Sequence, residues 1–248
     1  MIKLERNFIP DFFTRVDLLS LTQEFKDNGT SVWHHPEVKS ACLKLSNGKC
    51  AFCEVKLEEA STYNEIEHFK DKKNFPDDVI RWENLLPSCR HCNGSKQRHN
   101  VVLNPIINPC NDLPSEHLYM IGYRIKGKTD LGKTTVDVLN FNHREHKFIP
   151  RCKAGELIDS SIDDAIEKLN WFNENPSTRR KNILMNLVEA ILGECQKTSP
   201  FSAVSATMLH RSVEYSYLKE TMQMQGLWSD YMQELHDESL SLTLPSIR

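Results

Sequence analysis

A chain of 248 residues, 39% hydrophobic and 26% charged, can bury a core of its own and is too apolar to be a disordered tract. Its formal net charge of −3 excludes a broad basic platform, so any contact with nucleic acid must be local or shared with a partner. The opening segment is interrupted by charges and Pro10, unlike a secretory signal, and no apolar run reaches the length of a membrane span. The expectation is a cytoplasmic protein with no membrane contact.

In chain order, residues 1–45 read as an N-terminal arm followed by a helix over Glu37–Leu45. There Val38, Ala41, Cys42 and Leu45 recur at spacings of three and four. Residues 46–110 read as a small module of short elements and polar loops, entered through the Asn47-Gly48 turn. Asn104–Pro114 carries three prolines and no helical period. Residues 111–155 contain two strand-like runs, Leu118–Ile125 and Thr134–Phe141, and the intervening KGKTDLGK reads as a hairpin loop. From about Ser160 the chain reads as helical, with Ser161 capping the first helix and Ser177 or Thr178 a second. A further helical region spans Ala203 to Leu235, so residues 156–248 form a helical C-terminal region.

Eight cysteines are present. Four of them form two Cys-x-x-Cys clips, Cys50/Cys53 and Cys89/Cys92, which in a reducing compartment point to metal rather than disulfides. Four thiolates suit tetrahedral Zn2+, and a site with four protein ligands has no open position, so this zinc is expected to be structural. Cys42, Cys110, Cys152 and Cys195 have no such spacing and read as ordinary buried or half-buried thiols. Between and beside the clips stand Glu67-His68, Asn84 and Asn93, none of them diagnostic alone.

The sequence from Cys-x-x-Cys through Glu67-His68 and Asn84-Leu85-Leu86-Pro87-Ser88 to Cys-x-x-Cys-Asn93-x-x-Lys96 resembles the HNH endonuclease motif. The resemblance implies an α+β fold in which a ββα-metal core is braced by the four-cysteine zinc, followed here by the hairpin and the helical region. It also implies a phosphodiester hydrolase with His68 as general base and Asn84 orienting it. Glu67 and Asn93 would be ligands of a catalytic Mg2+ or Mn2+. Two positions depart from the family pattern: Glu67 replaces the usual aspartate, and Asn93 stands where many members have histidine. Both keep an oxygen donor, which favours a hard cation. Lys96, Arg98 and Arg90 are the candidate nucleic-acid contacts, and solvated surface is the competing reading for each.

A wider set of segments is similar to the PtuB nucleases of Septu anti-phage systems and of some retron defence systems: KCAFCE, EIEHF, WENLLPSCRHCN, NPIINPCND and VLNFN. That resemblance implies an effector subunit working with a PtuA-like ABC/SMC-type ATPase on nucleic acid, DNA or alternatively RNA, with the C-terminal helices as a docking surface. Two other readings stay open on the sequence. One is a catalytically silent zinc module that binds nucleic acid or protein, and the other is a stand-alone McrA-like restriction nuclease.

Overall fold

The computed structural model describes residues 1–57 and 64–247. They form a mixed α+β fold of small sheets and many helices, divided into two compact units. The first comprises Met1–Leu118 and Ile125–His143; the second comprises Tyr119–Arg124 and the chain from Arg144 onward.

In the first unit, two short helices, Phe12–Arg15 (α1) and Leu18–Asn28 (α2), precede Pro36–Leu45 (α3). α3 forms where the apolar period placed it, with Pro36 at its first turn and the His35 ring nitrogen accepting from the Glu37 N–H. Its Val38, Ala41, Cys42 and Leu45 are buried. Strands Asn64–His68 (β1) and Leu85–Cys89 (β2) pair antiparallel, with Glu67 opposite Leu86 and His68 opposite Leu85. The chain then enters Arg90–Lys96 (α4). The N-terminal arm clasps this assembly. Arg6 donates to the carbonyls of Trp82 and Leu85 with its guanidinium 4.4 Å above the Trp82 ring, and the Trp82 indole donates to the Phe8 carbonyl. Trp82 is therefore a core residue rather than a base-stacking surface.

The segment NPIINPCND, unexplained by sequence, is a brace. Ile106 and Ile107 are buried, Asn108 and Asp112 close a tight turn on each other's backbone, and the Pro109 carbonyl accepts from the Leu4 N–H at 2.8 Å. After Pro114–His117 (α5) come two short strands, Leu118–Ile121 (β3) and Arg124–Gly127 (β4), separated by Gly122 at φ +54°. The turn thus falls inside the first predicted strand. The second predicted strand, Thr134–Phe141, is instead part of a helix, Asp130–Val138 (α6), capped by Thr129. Its buried positions Gly132, Thr135 and Leu139 follow a helical period. The glycines of KGKTDLGK do not mark a hairpin loop; they permit close packing. A Cβ on Gly132 would lie 1.9 Å from the His117 carbonyl oxygen, and one on Gly127 would meet the Lys133 N–H nitrogen at 2.1 Å.

The second unit is a helical bundle: Ile149–Glu174 (α7), Thr178–Gly193 (α8), Ser202–Arg211 (α9), Val213–Met224 (α10) and Asp230–Ser241 (α11). A two-residue strand, Ser246–Ile247 (β5), pairs parallel with Met120–Ile121. α7 starts eleven residues before the expected Ser160, because Pro150 occupies its first turn and Arg151 and Gly155 already face inward. Ser161 is mid-helix, not a cap. Ser177 does cap α8, accepting from the Arg180 N–H. All ten residues of α9 except His210 and Arg211 are buried, so it is the core of this bundle.

A polar network ties α9, α10 and α11 together. Tyr215 Oη lies 2.7 Å from His236 Nδ1, Lys219 Nζ 2.9 Å from His236 Nε2, and His210 Nε2 2.8 Å from Ser239 Oγ. Burial, followed by the neighbouring His236 and Lys219, pushes His210 down to about 4, and burial with Lys219 lowers His236 as well. The unfolded chain then binds more protons than the folded one between about pH 6.5 and 4, so the stability these histidines contribute is lost as pH falls through that window. Thermal midpoints should drop from pH 6.5 toward 4, and His210→Gln should flatten the drop. An unchanged slope in the variant would contradict this account of the network.

Candidate functional site

The first clip is a knuckle. Cys50 N–H donates to the Val55 carbonyl and Glu54 N–H to the Cys50 carbonyl, with Glu54 in the left-handed region at φ 65°. The Ala51 N–H then reaches the Pro87 carbonyl of β2 at 2.9 Å, joining the two clips. Cys89 caps α4 and its Sγ accepts from the Cys92 N–H. As a result the four sulfurs of Cys50, Cys53, Cys89 and Cys92 all lie within 4.8 Å of one another, with Cys53 and Cys89 3.7 Å apart. Thiolates about 2.3 Å from a tetrahedral zinc are about 3.8 Å from each other, so the cluster has the size the metal demands. Among the described residues it is the one group of three or more His, Cys, Asp or Glu side chains placed to hold a metal ion. Burial raises Cys50, yet hydrogen bonds from Cys53, Cys89 and Cys92 outweigh it and bring Cys50 well below its ordinary range.

β1 alternates faces, as any strand must. Glu65 and Glu67 turn toward α4, where Asn93 and Lys96 lie one turn apart. Two rungs result: Asn93 Nδ2 donates to Glu65 Oε2 at 2.6 Å, and Lys96 Nζ to Glu67 Oε1 at 2.6 Å. Lys96, read from sequence as a phosphate contact, is 1% exposed, and its ammonium also reaches the His68 carbonyl at 2.9 Å. Burial pushes Glu67 up to about 7 even though Lys96 pulls the other way. Replacing Glu67 with Gln strands a buried ammonium, for which losses of about 3–5 kcal/mol are typical. Urea unfolding of Glu67→Gln should show a loss of that order with zinc retained; wild-type stability would mean that the rung is not a structural pair.

His68 ends β1 and faces the other way. Its Nε2 lies 2.9 Å from the Val79 carbonyl, and its ring meets Trp33 edge-on at 4.6 Å. A carbonyl can only accept, so Nε2 carries the proton and Nδ1 keeps its lone pair. Burial, followed by the charge of Lys72, lowers His68 to about 4, which holds the ring neutral at physiological pH. Asn84 fastens the loop that carries Val79. Its Oδ1 accepts from the Lys70 N–H, and its Nδ2 donates to the carbonyls of Lys70 and Asp78. No hydrogen bond joins Asn84 to the imidazole among the described residues; Asn84 secures the segment whose carbonyl holds the ring.

A cavity of about 800 Å³ opens beside these residues, lined by Trp33, His34, Lys39, Glu65, Lys72, Arg90 and Asn93 among others. Of the residues singled out by sequence, Asn93 and Arg90 line it. Glu67, His68, Asn84 and Lys96 are buried behind it, and Arg98 is exposed beyond the end of α4.

Over 237 residues the chain is 40% identical to the Septu protein PtuB of Bacillus thuringiensis, an alignment covering 95% of this chain and 92% of that protein. The chain belongs to the PtuB family of Septu proteins. A second PtuB, from Bacillus mycoides (strain KBAB4), is 34% identical over 111 residues, covering 33% of this chain and 37% of that protein. No protein-family model and no solved structure matches the chain.

Sequence reasoning missed several residues of this PtuB-family site. Trp33 is 5% exposed and meets Phe25, His34 and His68 edge-on, while Lys72 lies 4.5 Å over its ring. Its partners come from separate segments, so no local pattern marks it. Glu65 was passed over in favour of Glu67. The signal available was strand alternation, which puts both carboxylates on the face toward Asn93 and Lys96.

Proposed function

We propose that this protein is a metal-dependent HNH endonuclease of the ββα-metal type, acting in anti-phage defence as the effector partner of a PtuA-like ABC/SMC-type ATPase. The observation that carries the reading is the state of His68. It is a neutral imidazole at the end of β1 whose proton is fixed on Nε2 by Val79 O, leaving Nδ1 as the acceptor that a general base needs. The order β1, β2, α4, with one clip before the strands and the other spanning the end of β2 and the start of α4, supports the same reading.

The four-cysteine cluster would hold Zn2+ as a scaffold. Glu67 and Asn93 are the residues that would hold Mg2+ or Mn2+. Their oxygen donors suit a hard cation, which would share the Glu67 carboxylate with the Lys96 ammonium. Such a cation, when bound, polarises the phosphoryl group and supports the leaving 3′ oxygen. His68 takes the proton of the attacking water on Nδ1. Val79 O and the loop fastened by Asn84 keep the ring from turning, and Lys96 bridges the Glu67 side chain and the His68 backbone. DNA is the expected substrate, with RNA as the alternative. In the helical unit, Val213, Tyr217 and Met224 lie on one exposed face of α10, and this face is the docking surface for the ATPase in this reading.

A binding-only module is the second reading, favoured by the burial of His68 and by the Glu67–Lys96 rung. The two part on one experiment. Plasmid DNA and total RNA are incubated with the zinc-loaded protein, alone and with its ATPase. Cleavage should be absent without added Mg2+ or Mn2+ and present with either. Intact nucleic acid under every condition would leave the binding module as the account.

A further inference from the structure

We infer that the Trp33 cavity is the seat of the phosphodiester strand, and that His34 and Lys72, from outside the clips and the Glu-His motif, hold its phosphates together with Arg90. The inference rests on the nuclease reading for what happens to the strand, but not for the binding itself. The cavity, about 800 Å³, falls within the roughly 300–1,000 Å³ of sites that enclose a small ligand. Its wall carries Lys72 and Arg90, and neither has an ion-pair partner among the described residues. In a chain of net charge −3, Lys39, Lys72 and Arg90 against the one lining carboxylate, Glu65, which is itself held by Asn93, make this concave surface an anion site. His34 is exposed on the same wall, and Lys39 of α3 lines it as well.

Trp33 organises the set. The Lys72 ammonium sits 4.5 Å over its ring, His34 meets it edge-on at 5.4 Å, and His68 meets it at 4.6 Å. One buried indole therefore touches two of the three phosphate-facing side chains, Lys72 and His34, and the proposed base. A phosphate held by Lys72 and His34 is registered against His68 through a single rigid ring. Glu65 and Asn93, hydrogen-bonded to each other, line the same cavity as oxygen donors. The anion this arrangement fits is a phosphodiester of a nucleic-acid strand, and free phosphate is the other source of the same chemistry.

Fluorescence anisotropy with a short labelled oligothymidylate, in buffer without added Mg2+ or Mn2+, reads binding apart from cleavage. Each strand phosphate neutralised contributes about 0.7 to the slope of log K against log salt, so Lys72→Gln/Arg90→Ala should lower affinity and flatten the slope by about 1.4. His34→Ala should weaken binding, and Arg179→Ala, an exposed cation in the helical unit, should leave it unchanged. Zinc content and thermal midpoint, measured alongside, establish that each variant is folded. Unlabelled oligothymidylate should displace the probe while inorganic phosphate at the same phosphate concentration does not. An unchanged slope in the double variant, an equal loss in Arg179→Ala, or equal displacement by inorganic phosphate would overturn the inference. Because no cleavage is read, its failure is separate from failure of the nuclease reading, which would show as binding without metal-dependent cutting.

Discussion

Cys92→Ser should cost the protein its zinc and the order of the whole β1–β2–α4 assembly. Cys92 is fully buried, and its sulfur lies within 4.8 Å of the other three. A serine oxygen in its place is a poor partner for a metal held by soft thiolates. Structural zinc in small peptides is worth about 10–16 kcal/mol of folding free energy, more than the whole stability of many domains. β1 itself contributes one apolar side chain, Ile66, and it is only half-buried, so the strand leans on β2, where Leu85 and Leu86 are buried, and on the clips that flank the pair. Plasma emission spectrometry should find close to one zinc per chain in the wild type and little in Cys92→Ser. The variant's first unit should become sensitive to protease while the helical unit, which shares none of the ligands, stays resistant. Full zinc occupancy or undiminished protease resistance in the variant would mean that the cluster is not the scaffold.

His68→Ala should lower the cleavage rate by about 10²–10⁴, the range a positioned general base contributes. The loss follows from geometry. His68 is 4% exposed, its tautomer is set by Val79 O, and its ring is held neutral, so no other residue on β1 presents an equivalent lone pair. Removing the ring also empties the space against Trp33. Some loss of stability is therefore expected, and His68→Asn, which keeps a polar group of moderate size, serves as the folded control. Rates in both variants within a few-fold of wild type would remove His68 from the mechanism.

The parts of this site that sequence displayed are those coded locally. The clips, the helix over Glu37–Leu45 and a cap at Ser177 or Thr178 each depend on residues within a few positions of one another: the four sulfurs cluster, the helix runs from Pro36 to Leu45, and Ser177 is the cap. Where distant segments decided the outcome, the reading went astray. Thr134–Phe141, rich in β-branched residues, looked like a strand. The close approach of Gly132 to His117, and the Thr129 cap, make it a helix. Lys96 looked like a solvated phosphate ligand because its partner, Glu67, lies across the loop between the strands. Trp33 was invisible for the same reason: Phe25, His68 and Lys72 converge on it only after folding. Asn84, expected to orient His68, makes three hydrogen bonds to the backbone of residues 70 and 78, partners that no linear motif displays.

The central claim is that a zinc scaffold presents His68 as the base of a metal-dependent nuclease. It is tested most directly by comparing wild type with His68→Asn on plasmid DNA and total RNA, in Mg2+ or Mn2+, with the ATPase present and with zinc measured in the same samples. The account predicts cleavage by the wild type, a loss of about 10²–10⁴ in the variant, and equal zinc in both. Equal cleavage by the two proteins, or none by either, would contradict it.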